Sequence, residues 1–339
     1  MFLNSELFDH QRGASNKGYK KIDMGTLVLS TQNLHLGNAN VNLRFEHGMV
    51  SPAYKTYHIH DCSIGLIAEW VKSEKAKRFF YDATTVGASV CRRNVEWDTL
   101  YDQPLYLPSA EEQERLAAFL SALSSRIKKQ TELVEHLKKY KRGVSNTFFN
   151  DKVVAECSAV LPFGQAVEIN PKTKSLPTEF IYIDLESVES GKLLQENIIS
   201  RDNAPSRAQR VLTKGDVLFQ MVRPYQKNNF YFESELSLPA VASTGYAQIR
   251  CVDNDPLFVF EQISSDYFAN EAMLRSTGTG YPAINADSLA EIPFIKHPIE
   301  EQRKIGKFLY LLSQRIIQEE SKLEALLKVK GAMLQSLFI

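Results

Sequence analysis

An ungapped internal repeat constrains this chain more than any other feature. AEEQERLAAFLSALSSRIKKQTELVEHLKKYKRGVSNTFFN, Ala110–Asn150, aligns with IEEQRKIGKFLYLLSQRIIQEESKLEALLKVKGAMLQSLFI, Ile299–Ile339, at a constant separation of 189 positions. Glu111, Glu112 and Gln113 match Glu300, Glu301 and Gln302, and Phe119, Leu120 and Leu123 match Phe308, Leu309 and Leu312. Apolar residues return at alternating steps of four and three. The first seam holds Leu116, Leu120, Leu123, Ile127, Val134 and Leu137; the second holds Ile305, Leu309, Leu312, Ile316, Leu323 and Leu326. Gln130 and Lys141 interrupt the first seam, and Glu319 and Lys330 interrupt the second at matching places. So narrow an apolar strip predicts two long helices whose seams pack on each other in a coiled coil. Ser109 with Glu112 forms a capping box at the first start, and Pro298 suits the first turn of the second. A helix of about 40 residues is about 60 Å long.

The rest of the chain follows the same plan. Short β-rich runs, FIYIDL (Phe180–Leu185), GDVLFQMV (Gly215–Val222) and GYAQIRCV (Gly245–Val252), precede a helical run and the loop STGTGYPA (Ser276–Ala283). Before the first repeat, MGTLVLS (Met24–Ser30) stands opposite KGDVLFQ (Lys214–Gln220), with Gly25 facing Gly215, and TTVGAS (Thr84–Ser89) echoes the later loop. The expected organisation is an α+β chain of two mixed α/β globules, 1–107 and 151–297, separated by helices over 108–150 and 298–339. By the repeat offset Met1 falls opposite about Ser190. The first 40 or so residues of the second globule thus have no counterpart, and the first globule reads as incomplete at its N-terminus.

Composition limits what such a chain can be. A hydrophobic fraction of 44% supports packed cores, and MFLNSELFDH has neither the basic start nor the apolar stretch of a signal peptide. Cys62, Cys91, Cys157 and Cys251 lie far apart and read as reduced thiols of a cytoplasmic protein. Forty basic and forty acidic residues cancel. A neutral chain is a poor general polyanion binder.

The twin helices opening with EEQ, the stretch PSRAQRVLTKGDVLFQMVRP (Pro205–Pro224) and the glycine loops before LPSAEEQ and HPIEEQ together resemble the specificity subunits of Type I restriction–modification systems, over essentially the whole chain. That resemblance implies two target-recognition domains, each reading half of a bipartite double-stranded DNA site, separated by the two helices packed as an antiparallel pair, which sets the globules at opposite ends about a pseudo-twofold axis. It also implies assembly with two methyltransferase subunits and with restriction–translocase subunits. S-adenosylmethionine, ATP and magnesium would belong to those partners, and this chain would be non-catalytic. A Type IIB-like specificity subunit, or a cut-down copy that keeps the helices without reading DNA, would share the pattern.

Base readout needs side chains that form paired hydrogen bonds, Arg to guanine and Asn or Gln to adenine. In the second globule the candidates are Arg207, Arg223, Tyr225, Lys227 and Asn228, with Thr279 and Tyr281 on the glycine loop. In the first they are Gln32 and Asn33, within the amide-rich STQNLHLGNAN, and Arg92 and Arg93. Arg207 and Arg223 could equally be structural ion-pair partners, and the amide-rich stretch a plain polar turn. Other chemistry finds no footing. His58, His60 and Cys62 share one strand face without a fourth zinc ligand, and Asp255-Pro256-Leu257-Phe258 lacks the second proline of a methyltransferase DPPY loop. No GxxxxGK[ST] phosphate loop or ordered nuclease motif is present.

Overall fold

The computed structural model describes residues 18–89, 92–156, 159–173, 175–233 and 236–337. Two helices of 39 residues each dominate it: α4, Ala110–Phe148, and α10, Ile299–Leu337. The capping box forms at the start of α4. The Ser109 hydroxyl donates to the Glu112 carboxylate at 2.7 Å and the Ser109 backbone N–H donates to it at 3.1 Å, and the two bonds, the hydroxyl's foremost, hold that carboxyl below its ordinary range. Of the twelve seam residues named above, Leu120, Val134, Leu309 and Ile316 are buried and the other eight half-buried. The chain divides into two compact units, residues 1–133 with 319–339, and residues 134–318. Each unit therefore joins one globule to a stretch of both long helices.

In the first unit β1 (Lys20–Asp23) pairs antiparallel with β4 (His47–Val50). A second sheet places β2 (Leu27–Ser30) between β3 (Ala39–Val41) and β5 (Tyr54–Tyr57). Helices α1 (Ile64–Trp70) and α2 (Glu74–Asp82), the hairpin β6 (Thr84–Ser89) with β7 (Arg92–Val95), and α3 (Trp97–Asp102) complete the globule. Leu66, Ala68, Trp70 and Phe80 form a core with Ala117 and Leu120 of α4 and Leu334 of the second long helix. Burial of each large apolar side chain contributes about 1.5–3 kcal/mol, so the helices are part of the core and not a handle on it. The helix pair is antiparallel here: Ser124 meets Lys330 at 2.7 Å, while further along the first helix Gln130 meets Glu319, further back along the second, also at 2.7 Å.

The second unit repeats this core and adds to it. After α5 (Asp151–Glu156), β8 (Val160–Pro162) and α6 (Phe163–Ala166) comes β9 (Glu168–Ile169), the edge of a sheet completed by β15 (Val217–Gln220), β16 (Phe230–Tyr231) and β18 (Tyr246–Arg250). Its neighbour has the order β13 (Asn197–Ser200), β10 (Glu179–Ile183), β17 (Ala240–Ser243), β14 (Ala208–Val211). A short hairpin, β11 (Val188–Glu189) with β12 (Lys192–Leu193), links β10 to β13. Strand β10 runs parallel to β17, and its residues alternate between two cores, Phe180 and Tyr182 on one face, Ile181 and Ile183 on the other. Burial on both faces explains its unbroken apolar sequence. Helices α7 (Pro256–Ile263), α8 (Asp266–Leu274) and α9 (Ala286–Ala290) follow, then β19 (Pro293–Ile295), which pairs with β8. Phe149, just past the end of α4, and Leu309 of α10 sit fully buried among Phe219, Phe258, Phe268 and Phe294.

Matched features recur at matched positions. Gly25 (φ 85°) and Gly215 (φ 92°) make the same left-handed turn before β2 and β15, a conformation that favours glycine. The glutamines of the two EEQ motifs are latches: Gln113 accepts from the Ser63 N–H and donates to Pro108 O, while Gln302 accepts from the Asp255 N–H and donates to His297 O and Asn254. Both are buried and join the long helix to the turn that opens α1 or α7. The polar seam residues have partners as well. Lys330 pairs with Glu69 of α1 at 2.6 Å, and Lys141 pairs with Glu261 of α7 at 2.9 Å.

Candidate nucleic-acid interface

At one edge of the second unit, strand ends and loops converge. Strand β15 ends at Gln220, and the Met221 N–H donates to Gly245 O in the turn joining β17 to β18. In that turn the Thr244 N–H donates to Arg207 O, which tethers the start of β14 to the same edge. The glycine loop folds over it: Thr277 bridges Ala283, Val222 bridges Ala283, and the Arg223 N–H donates to Pro282 O at 2.7 Å. Gly278, at φ 90°, turns the loop. Arg207, Arg223, Tyr225, Thr279 and Tyr281 are thereby linked to one surface, with Tyr225 53% and Tyr281 71% exposed.

Electrostatics divides these residues. The Arg223 guanidinium lies 4.3 Å above the Tyr281 ring centre, a cation–π stack, and neither it nor Arg207 has an ion-pair partner among the described residues. Arg223 Nε is buried without a hydrogen-bond partner, and its backbone holds the left-handed conformation, φ 53°. A side chain larger than glycine held there is a strained feature that surrounding structure must impose. Lys227, also left-handed, is instead ion-paired to Asp266, which Arg142 engages at 2.9 Å. The Lys227 hydrogen bond, with a smaller contribution from Arg142, holds the Asp266 carboxyl below the usual carboxylate range. Asn228 is likewise structural: its Oδ1 accepts from the Ser190 N–H at 3.2 Å.

In the first unit the amide-rich stretch leaves β2 and makes a 3-10 turn, Leu34–Leu36. Gln32 is exposed and Asn33 half-buried, and the backbone N–H of each donates to the Ser30 hydroxyl. Arg93 is held by its own hairpin and by α2, donating to Thr84 Oγ1 and O, both at 2.7 Å, and stacked 4.0 Å above Tyr81. Arg92 lies on β7, and its side chain falls outside the described residues. The structure therefore does not join Arg93 to the Gln32–Asn33 loop by any hydrogen bond or stack among the described residues.

One cation–aromatic cluster was missed from sequence. Lys55 Nζ lies 3.8 Å from the Trp97 ring centre and 3.2 Å from the Tyr101 hydroxyl, which meets that of Tyr57 at 2.8 Å. Its only local signal is Trp97 and Tyr101 one turn apart; Lys55 arrives from a distant strand. Asp255, met above in the shortened DPPY-like run, accepts from the Phe258 N–H and caps α7. Among the described residues no three His, Cys, Asp or Glu side chains converge as metal ligands, and no helix is long and apolar enough to cross a membrane.

Two mixed α/β globules, each built around a stretch of both long helices, is the fold of Type I restriction–modification specificity subunits. Over 96% of this chain and 87% of the other, it superposes on the S subunit of a Type I system from M. genitalium with a TM-score of 0.64 at 16% identity. A second solved structure, from work on complex assembly and conformational transition of the type I R–M system, gives 0.53 at 16% identity over 96% of this chain and 84% of that one. In sequence, the chain is 23% identical over 289 residues to the Type I restriction enzyme MjaVIII specificity subunit of Methanocaldococcus jannaschii, spanning 78% of this chain and 68% of the relative. No family model matches.

Proposed function

We propose that this chain is the DNA-recognition subunit of a Type I restriction–modification complex, reading a bipartite duplex site with its two globules and carrying no catalysis of its own. The single observation behind this reading is the second-unit surface on which Arg207 and Arg223, free of ion pairs among the described residues, stand with the exposed rings of Tyr225 and Tyr281. Arginines left without an acidic partner beside exposed aromatics suit phosphate and base-edge contact. The helix pair then serves as the spacer between half-sites and the platform for methyltransferase and restriction subunits. S-adenosylmethionine, ATP and magnesium would bind to those partners. The resemblance in fold and sequence to specificity subunits supports the same role.

The test is selection from a random duplex library by the purified full-length chain, followed by sequencing. A bipartite motif with a fixed gap is expected, together with binding that weakens steeply as salt rises. Retention of DNA with no enriched motif at any salt would overturn the reading.

A further inference from the structure

We propose that one matched position, Asn33 in the first unit and Arg223 in the second, is the base-reading position of both, with Arg223 selecting guanine and Asn33 selecting adenine. This rests on the DNA-reading proposal and adds to it which residue reads and what it reads. The carrying observation is that the two residues occupy the same position between a matched strand and the 3-10 turn that follows it, with the Asn33 backbone at φ -123° and the Arg223 backbone at φ 53°. Strands β2 and β15 end at Ser30 and Gln220, and after three intervening residues each is followed by a 3-10 turn, Leu34–Leu36 and Pro224–Gln226. Asn33 and Arg223 enter these turns. Gly37 (φ 80°) and Lys227 (φ 54°) close them, each donating its N–H to the first residue of the turn, at 2.9 Å and 3.1 Å. Each turn packs against the helix behind it, by different contacts. A Cβ on Gly37 would stand 2.9 Å from the Lys77 side chain of α2, while Lys227 is ion-paired to Asp266 of α8.

At the entry position the side chains remain available for a ligand. The Asn33 amide makes no hydrogen bond among the described residues. Arg223 has its Nε buried and its guanidinium fixed over Tyr281, so the two terminal nitrogens are its available donors. Two parallel donors match O6 and N7 of guanine, and a carboxamide, one donor and one acceptor, matches N6 and N7 of adenine. Two neighbouring polar side chains are otherwise engaged, Lys227 with Asp266 and Asn228 with Ser190.

Repeating the random-duplex selection with full-length Arg223→Asn, Arg223→Lys and Asn33→Arg tests this. Asparagine tolerates the left-handed backbone at 223, and Arg223→Lys keeps the charge, so a folding defect in one variant is exposed by the other. Arg223→Asn should turn one G·C column of the motif into A·T, and Asn33→Arg should do the reverse at one column of the other half-site. Arg223→Lys should lower the preference at its column about ten-fold or more. Unchanged motifs with DNA still bound would overturn this inference and leave the parent reading standing, as would a uniform weakening at every column, which marks a phosphate contact. No motif for the unaltered chain would overturn both.

Discussion

Where each long helix passes closest to its globule, the two units solve one packing problem in opposite ways. In the first unit the long helix carries Ala117 and the globule supplies the small residue, Gly65 of α1, on which a Cβ would stand 3.2 Å from that of Ala117. In the second the matched helix residue is Gly306, and a Cβ there would lie 2.4 Å from the Phe258 nitrogen and 2.9 Å from Asp255 Oδ1. The approach between helix and globule is thus kept while the residue permitting it changes sides. The buried clamps show the same kinship with a difference of degree. Glu261 pairs with Lys141 and accepts from the Ser313 hydroxyl; Glu69 pairs with Lys330 and accepts from the Ser124 hydroxyl. The Glu261 side chain is 1% exposed against 10% for Glu69, which also has Lys72 at 3.7 Å.

The largest expected effect tests the clamps. Lys141→Met strands the Glu261 carboxylate in the core and should destabilise the second unit by about 3–5 kcal/mol. Lys330→Met should cost less, because Glu69 keeps some water and a second lysine. Urea unfolding of the two variants checks this, and equal losses would break the comparison. Adding Glu261→Gln to Lys141→Met should restore much of the loss. Next comes the glycine. Gly306→Ala forces α10 away from α7 and should cost about 1–3 kcal/mol, although alanine is the better helix former. Ala117→Gly opens no clash and should cost about 1 kcal/mol of helix propensity. A thermal scan in which Gly306→Ala gains stability would show that the two contacts are not equivalent.

The smallest effect concerns acid. The Asp266 carboxyl is held low, so its contribution to stability is complete above the unfolded carboxylate pKa of about 3.9 and drains away as pH falls through the lower folded value. Its side chain is 40% exposed, so solvent screening keeps the contribution small. Asp266→Asn should lower stability slightly near neutrality and flatten the stability–pH curve below about pH 4, where the wild-type contribution is lost. Glu74, the matched first residue of α2, pairs with Lys77 one turn on, and Glu74→Gln serves as the control.

What was legible in the sequence was periodic or local. The heptad seams specify both long helices because burial every three or four residues leaves a trace in one dimension, and Gly25 and Gly215 mark a turn that few other residues adopt. The EEQ repeat was visible without its reason, since the partners of Gln113 and Gln302 include Ser63 and Asp255, distant in the chain. The parallel pairing of β10 with β17 was hidden for the same cause. At the interface, sequence proximity grouped Lys227 and Asn228 with Arg223. Their partners, Asp266 and Ser190, lie 39 and 38 residues away, so only the fold shows those side chains engaged. The Lys55–Trp97–Tyr101 cluster escaped for want of any local pattern.

Gln130 and Glu319 are repeat equivalents, 189 positions apart, and they touch, the amide donating to both the carboxylate and the backbone carbonyl. When two copies of a segment pack antiparallel, only one position can face its own counterpart. Every other contact of the seam joins two different positions, and a chain with identical copies would contain it twice. This one would exist once and would pair a residue with itself. Two glutamates there would bury like charges together, and two glutamines would give neither partner a charged acceptor. An amide opposite a carboxylate is therefore a combination that identical copies cannot supply. At this layer the two halves of the chain are no longer interchangeable.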